Sequence, residues 1–300
     1  MLAGCSHSVS EQLSQLATSD LPPSVEIHQA PFFPQERYQC GPAALATTLT
    51  YTGVDTSADQ LVPQVYLPAR EGSLQAEMLA ATRRHDRVAV VLKPSMEDLL
   101  REVGDGKPVL VLQNLGFNWY PKWHYAVVVG YDFQLQQIVL RSGITQRKTM
   151  PLTLFDRTWR RSDRWAMIVV RPGEIPITAT EDNYLKAVLP FEQGKNWQTA
   201  NAAYRAAAKR WPKSLGATMG VGNSYYQMAK IADAERAYRA ALVIDRAHAP
   251  AHNNLAQVLL ERRQLAEAIS HAQQAVSIGG PYTDAYRQTL NEIKRELEKR

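Results

Sequence analysis

Two residues in this chain have the types and settings that nucleophilic catalysis requires. The first is Cys40, in the run Gln35-Glu36-Arg37-Tyr38-Gln39-Cys40-Gly41-Pro42-Ala43-Ala44-Leu45. Proline is well suited to the first turn of a helix, where its missing N–H costs nothing, and Leu45, Ala46 and Leu49 then supply an apolar face. Cys40 is therefore expected at a helix N-terminus, where unpaired backbone N–H groups and the helix dipole favour thiolate over thiol. The same N–H groups can hold the oxyanion that forms when a carbonyl is attacked, and the side-chain amide of Gln35 can add a donor.

The second residue is His124, reached by elimination. The seven histidines are His7, His28, His85, His124, His248, His252 and His271. Three fall in a helical repeat region and His7 in a polar leader. His28 precedes the domain core, and His85 lies in a charged run. Only His124 opens an apolar strand, Trp123-His124-Tyr125-Ala126-Val127-Val128-Val129-Gly130-Tyr131-Asp132. A neutral imidazole there could take the thiol proton and return it to a leaving amine.

The elements that must position this pair are legible in outline. The Val- and Ile-rich runs Val109–Leu112, Tyr125–Tyr131, Ile138–Leu140 and Ala166–Val170, bounded by Gly and Pro, predict strands, interspersed with a few helical patterns. The Gln upstream of a Cys-Gly-Pro helix start, and the His opening a valine-rich strand that ends in Gly-Tyr-Asp, together resemble the bacteriocin-leader (double-glycine) peptidases, a branch of the papain-like cysteine peptidases. The resemblance covers residues 25–172, about half the chain. It implies an α+β papain-like fold, a Cys40 nucleophile, a His124 base and an oxyanion contribution from Gln35.

That family places an Asp or Asn on the next strand to orient the imidazole. Asp132 lies roughly 26 Å from His124 along an extended strand and belongs at the hairpin turn. With the turn near residues 133–134, the returning strand is expected to bring Ser142 and Gly143 opposite His124, so Ser142 stands where the carboxylate would be. A hydroxyl can accept the ring N–H, but it cannot stabilise an imidazolium as a carboxylate does. Three readings follow: a Cys–His dyad suffices, or Asn114 or Asp156 supplies the contact, or activity is low.

From Asn183 the character changes. Strand-like runs cease and a 34-residue period appears: Ala200, Ala234 and Ala268; Tyr204, Tyr238 and Ala272; Ala207, Ala241 and Ala275; Phe191, Tyr225 and Leu259. Small residues recur where helices must touch. This pattern resembles the tetratricopeptide repeat, in three copies over residues 183–282, with residues 283–300 as a charged capping helix. The expected order is thus a lipobox and tether (1–24), an α+β papain-like peptidase domain (25–172), a linker (173–182) and an all-α tetratricopeptide repeat domain (183–300). Such arrays usually receive a peptide on a concave face. Asn223, Gln227, Asn253, Asn254 and Gln257 fall between the packing positions and are the expected partner-binding residues.

The other cysteine, Cys5, closes Leu2-Ala3-Gly4-Cys5, which resembles a lipobox. The resemblance implies acylation of Cys5 and anchoring in a bacterial cell envelope, on the periplasmic face. Ser6 after the Cys fits outer-membrane sorting. A Cys5–Cys40 disulfide is the plainer alternative. The net charge of +5 is spread thinly, with no Lys/Arg run interleaved with aromatics, which disfavours nucleic acid as a partner. No metal-binding motif or cofactor signature appears. The leading expectation is an envelope-anchored cysteine peptidase whose repeats recruit protein substrate or partner. Transfer of the acyl group to an amine is a variant of that chemistry; the alternatives are a weak pseudo-peptidase serving as a binding module, and other thiol acyl chemistry such as cell-wall peptide amidase activity.

Overall fold

The computed structural model describes residues 20–34 and 39–299. Cys5 and Gln35 therefore lie outside the described residues. Two units emerge: residues up to Arg171 together with Ile175–Asn183, and Pro172–Glu174 together with Tyr184 onward. Among the described residues no helix is long and apolar enough to cross a membrane.

The first unit is built on one antiparallel sheet. Its strands are β1 (Ser24–Glu26), β2 (Val88–Val91), β3 (Val109–Asn114), β4 (Trp123–Asp132), β5 (Gln137–Ser142), β6 (Thr145–Pro151) and β7 (Ala166–Val170). The spatial order is β2-β7-β3-β4-β5-β6, and β1 pairs with the end of β4 beyond the reach of β3. All four strands expected from hydrophobic runs are present. Helix α1 (Cys40–Tyr51) packs against β4 and its neighbours; α2 (Ala58–Val65) and α3 (Gln75–Arg84) follow, then α4 (Met96–Gly104) and α5 (Leu152–Arg160). From Gly41 to Leu49 every residue of α1 is buried, because sheet and flanking helices enclose it. Leu45, Leu49, Val127, Val128, Leu110 and Ile168 form part of that core.

Glu102, on α4, is fully buried. Its Oε1 accepts hydrogen bonds from the Thr178 backbone N–H at 2.7 Å and the Thr178 hydroxyl at 2.6 Å, while Oε2 has no partner among the described residues. Burial pushes the carboxyl pKa up against the pull of the Thr178 bonds and Lys107. A raised acid contributes stability while protonated and loses it as pH climbs above its ordinary value of 4.5. Glu102→Gln keeps the acceptor and removes the charge. The variant is expected to match the parent near pH 4 and to be more stable at pH 8, by up to about 1–3 kcal/mol for an unsatisfied buried oxygen, seen as a higher Tm. Parallel Tm curves from pH 4 to 8 would refute this.

The second unit is helical: α6 (Glu181–Gln193), α7 (Trp197–Arg210), α8 (Leu215–Gln227), α9 (Ile231–Ile244), α10 (Ala249–Glu261), α11 (Leu265–Ile278) and α12 (Thr283–Glu298). Ala200, Ala234, Ala268, Ala207, Ala241 and Ala275 are all fully buried, which is the reason for the 34-residue recurrence of small side chains. Two glycines serve the same close approach. A Cβ on Gly220 would lie 2.6 Å from the Tyr204 ring, and one on Gly222 would lie 2.5 Å from the Tyr238 ring. The last helix caps the array, burying Tyr286, Thr289 and Ile293.

Candidate active site

Cys40 is the first residue of α1, and Gln39 precedes it as N-cap without a side-chain capping bond. The backbone N–H groups of Tyr125, Gly41 and Cys40 itself are turned to the sulfur and draw its pKa down, but burial outweighs them and the thiol ends above its ordinary value. The expectation of a thiolate is thus overturned. The helix N-terminus is present, yet enclosure by the surrounding structure costs the anion more than the N–H groups return.

The Tyr125 contact also locates the thiol: it sits against the peptide that directly follows His124. The imidazole Nε2 is 2.8 Å from the Ser142 hydroxyl. Nδ1 has no hydrogen bond among the described residues. Burial and the positive charge of Lys148 push the His124 pKa down to about 4. At neutral pH the pair therefore rests as thiol and neutral imidazole, and His124 is poised as a base rather than as half of an ion pair.

Ser142 reaches His124 by a route other than the one the sequence predicts. The turn occupies residues 133–136, with Asp132 paired to Gln137 and Gln136 in the left-handed region (φ 50°). Continued without a break, that register would set Ser142 opposite Val127, on the face away from His124. A β-bulge between Val128 and Gly130 slips the pairing by one residue. Because side chains alternate across a strand, the slip turns Ser142 onto the His124 face, where it contacts the imidazole diagonally. Asp132 instead caps the turn, its Oδ1 accepting the Leu135 N–H at 2.9 Å.

Neither alternative third group is available. Asn114 Oδ1 accepts the N–H groups of Gly116 and Lys122, both at 2.9 Å, and its amide donates to the Phe117 carbonyl. Asp156 is buried and held by Arg160 and by Arg164, the latter at 2.8 Å. Beside Ser142, the buried Arg141 donates to the Ala30 carbonyl at 3.2 Å and so fixes the segment that leads toward Cys40.

Ser73 is a neighbour that sequence reasoning missed. Its hydroxyl is buried without a partner among the described residues, and its carbonyl accepts the Tyr125 phenol at 3.2 Å. A Cβ on Gly41 would lie 2.3 Å from Ser73 Oγ and 2.6 Å from Ser73 Cβ. Gly41→Ala is therefore expected to push the start of α1 off its place, destabilising the unit by about 1–3 kcal/mol and slowing alkylation of Cys40. Adding Ser73→Gly should recover most of both losses in a double-mutant cycle. Strictly additive effects would mean that the two residues do not collide.

Residues 27–167 match the Peptidase_C39 like family, and residues 221–283 match a tetratricopeptide repeat. The chain joins a C39-like peptidase domain to tetratricopeptide repeats. Among solved structures, a Bacillus anthracis protein described as a C39-like peptidase aligns at 20% identity over 50% of this chain and 98% of its own, with a TM-score of 0.41. The Yersinia enterocolitica type III secretion chaperone SycD, in complex with a peptide of the translocator YopD, aligns at 19% identity over 40% of this chain and 94% of its own, with a TM-score of 0.37. The TPR2B domain of yeast Sti1, in a complex with pHsp70, aligns at 14% identity over 39% and 97%, again with a TM-score of 0.37. No curated protein matches the chain.

In the tetratricopeptide repeats the expected partner-binding residues divide. Gln227 is exposed. Asn223 and Asn254 are half-buried and belong to a polar ladder: Asn254 donates to Asn223 Oδ1 at 3.2 Å, Tyr238 donates to the same oxygen at 3.1 Å, and Asn223 donates to Glu192 at 3.2 Å. Gln257 is half-buried near the Thr289 hydroxyl, at 3.5 Å. Asn253 departs from expectation. It is only 8% exposed, so it is packed inside the array rather than presented on a face.

Proposed function

We propose that the C39-like domain hydrolyses peptide bonds in peptide or protein substrates, with Cys40 as nucleophile and His124 as base. The observation that carries this reading is the convergence of three backbone N–H groups on the Cys40 sulfur, one of them from the residue next to a neutral, buried imidazole. In the reaction, Nδ1 of His124 takes the thiol proton as the sulfur attacks the carbonyl. The backbone N–H groups at the start of α1 receive the developing oxyanion, joined in this proposal by the Gln35 amide. The imidazolium then protonates the leaving amine, and water releases the acyl group. The Ser142 hydroxyl orients the ring through Nε2.

The tetratricopeptide repeats are proposed to bind a protein partner or the substrate's own chain, through a face that includes Gln227 and the Asn223–Asn254 ladder. Acylation of Cys5, with anchoring at the periplasmic face of an envelope membrane, completes the proposal. It is testable by metabolic labelling with an alkyne fatty acid against a Cys5→Ala control.

The decisive test is incubation with a library of natural peptides, followed by mass spectrometry of new termini, with Cys40→Ala as control. New termini that vanish in Cys40→Ala support the proposal; an identical pattern for both proteins defeats it. One observation favours a second reading, a pseudo-peptidase that binds without cutting: a hydroxyl stands where a carboxylate would support the imidazolium. Under that reading the library remains intact, and the same peptides are retained by both proteins.

A further inference from the structure

The β3–β4 connection, residues 115–122, is a tight hairpin that carries large apolar side chains into solvent. Trp119 is 81% exposed, Tyr120 62% and Phe117 61%. The Phe117 and Trp119 rings stack at 5.6 Å, 9° from parallel. Hydrogen bonds brace the presentation. Asn114 ties both legs of the hairpin, Phe117 and Tyr120 exchange backbone hydrogen bonds at 3.1 and 3.2 Å, and Leu115 N–H donates to the Lys122 carbonyl at 2.9 Å. A Cβ on Gly116 would lie 2.4 Å from the Tyr120 carbonyl, so only glycine lets the two legs close.

The base of the hairpin is cationic. The Arg161 guanidinium donates to the Gly116 carbonyl. Asn118, Thr153, Arg157, Arg160 and Arg161 line a shallow cavity of about 450 Å³ between hairpin and α5. Lys122 and Arg157 are exposed. The acidic residues nearby are Asp156, buried against Arg160 and Arg164, and Asp163 in the turn beyond the helix.

A convex tip of Trp, Tyr and Phe above a collar of Arg and Lys has the chemistry of the bilayer interface. Aromatic rings settle at the headgroup level, and guanidinium groups pair with lipid phosphates. We propose that this hairpin docks the C39-like domain on an anionic phospholipid bilayer, with Phe117, Trp119 and Tyr120 entering the interface and Arg157 and Arg161 meeting the phosphates. The shape and charge favour this occupant over a peptide segment: the aromatics form a projection rather than a groove, and cations predominate beside them. Because Trp123 joins the hairpin directly to His124, docking would set the thiol–imidazole pair close to the membrane plane. The surface is independent of any acyl chain at Cys5.

The test uses the full chain carrying Cys5→Ala, so that no lipid is attached. It is mixed with vesicles of pure phosphatidylcholine or of phosphatidylcholine with phosphatidylglycerol, and read by co-sedimentation and tryptophan emission. Binding to the phosphatidylglycerol vesicles, with a blue-shifted emission, is expected. Phe117→Ala/Trp119→Ala/Tyr120→Ala should weaken partitioning by about 10- to 100-fold. Arg157→Gln/Arg161→Gln should reduce the preference for phosphatidylglycerol over phosphatidylcholine, as should raising the salt. No vesicle binding by the parent at lipid excess overturns the proposal. So does a triple variant that binds vesicles as well as the parent. A triple variant that loses only peptide cleavage assigns the hairpin to substrate instead, and also overturns it.

Discussion

Replacing His124 by alanine is expected to cut peptide hydrolysis by roughly 10³-fold or more, yet to change iodoacetamide alkylation of Cys40 at pH 8.5 by only a few-fold. The two outcomes separate because of how the pair rests. Burial holds the Cys40 thiol above its ordinary pKa, and burial with Lys148 holds the imidazole near 4. Both groups are therefore neutral at physiological pH, and the imidazole does not stabilise a standing thiolate. Alkylation, which consumes whatever thiolate the solution pH allows, scarcely needs it. Hydrolysis needs a base as the sulfur attacks and an acid as the amine departs, and general acid–base groups typically contribute about 10²- to 10⁴-fold. The neutral base is present above pH 4, so the acid limb of kcat/KM should fall near that value. At pH 7 the parent Cys40 should be alkylated no faster than a free cysteine. A collapse of alkylation in His124→Ala between pH 6 and 7 would instead mean a pre-formed thiolate–imidazolium pair, contrary to this account.

How far the site was legible in the sequence depended on whether a feature was local. Pro42 and the apolar face after it were enough to start α1 at Cys40, and a valine-rich run was enough to make His124 open β4. The 34-residue period gave the repeats, because buried alanines and the glycines under Tyr204 and Tyr238 record helix contacts directly. What failed depended on the whole fold. β1 has three residues and β6, Thr145–Pro151, is mostly exposed and polar, so neither carries the alternation that marks a half-buried strand. The bulge near Val129 leaves no mark in an unbroken run of three valines. Ser142 was assigned to His124 from a turn centred one residue too early, and only the bulge brings it to the proper face. The Cys40 pKa was predicted in the wrong direction for the same reason. A helix N-terminus is visible in sequence, but the burial that outweighs it is set by the folded chain around Cys40. Asn253 was assigned to an open face from its position between packing residues, and neighbouring helices bury it.

The change with the most to add to this site is Ser142→Asp. The Ser142 hydroxyl lies 2.8 Å from Nε2 of His124, so an Asp there, one atom longer, reaches the same ring N–H once its carboxylate swings aside or the ring draws back slightly. Burial and then the positive charge of Lys148 disfavour imidazolium, and Ser142 supplies no charge to oppose them. A carboxylate in contact typically raises a histidine pKa by about 1–3 units. Each unit shifts the balance from thiol and imidazole toward thiolate and imidazolium about tenfold. The three N–H groups already turned to the Cys40 sulfur would then support a thiolate that burial alone suppresses. The expected result is alkylation of Cys40 at pH 6–7 faster by about 10- to 100-fold than in the parent, with an acid limb displaced upward from pH 4. Because Ser142 is buried, an Asp there is tolerated only while it is paired with the imidazolium. Ser142→Asp combined with His124→Ala should therefore be less stable than either single variant by more than their sum. If Ser142→Asp leaves the pH profile of alkylation where it was, the hydroxyl is not in the catalytic position and the imidazole is oriented by some other group.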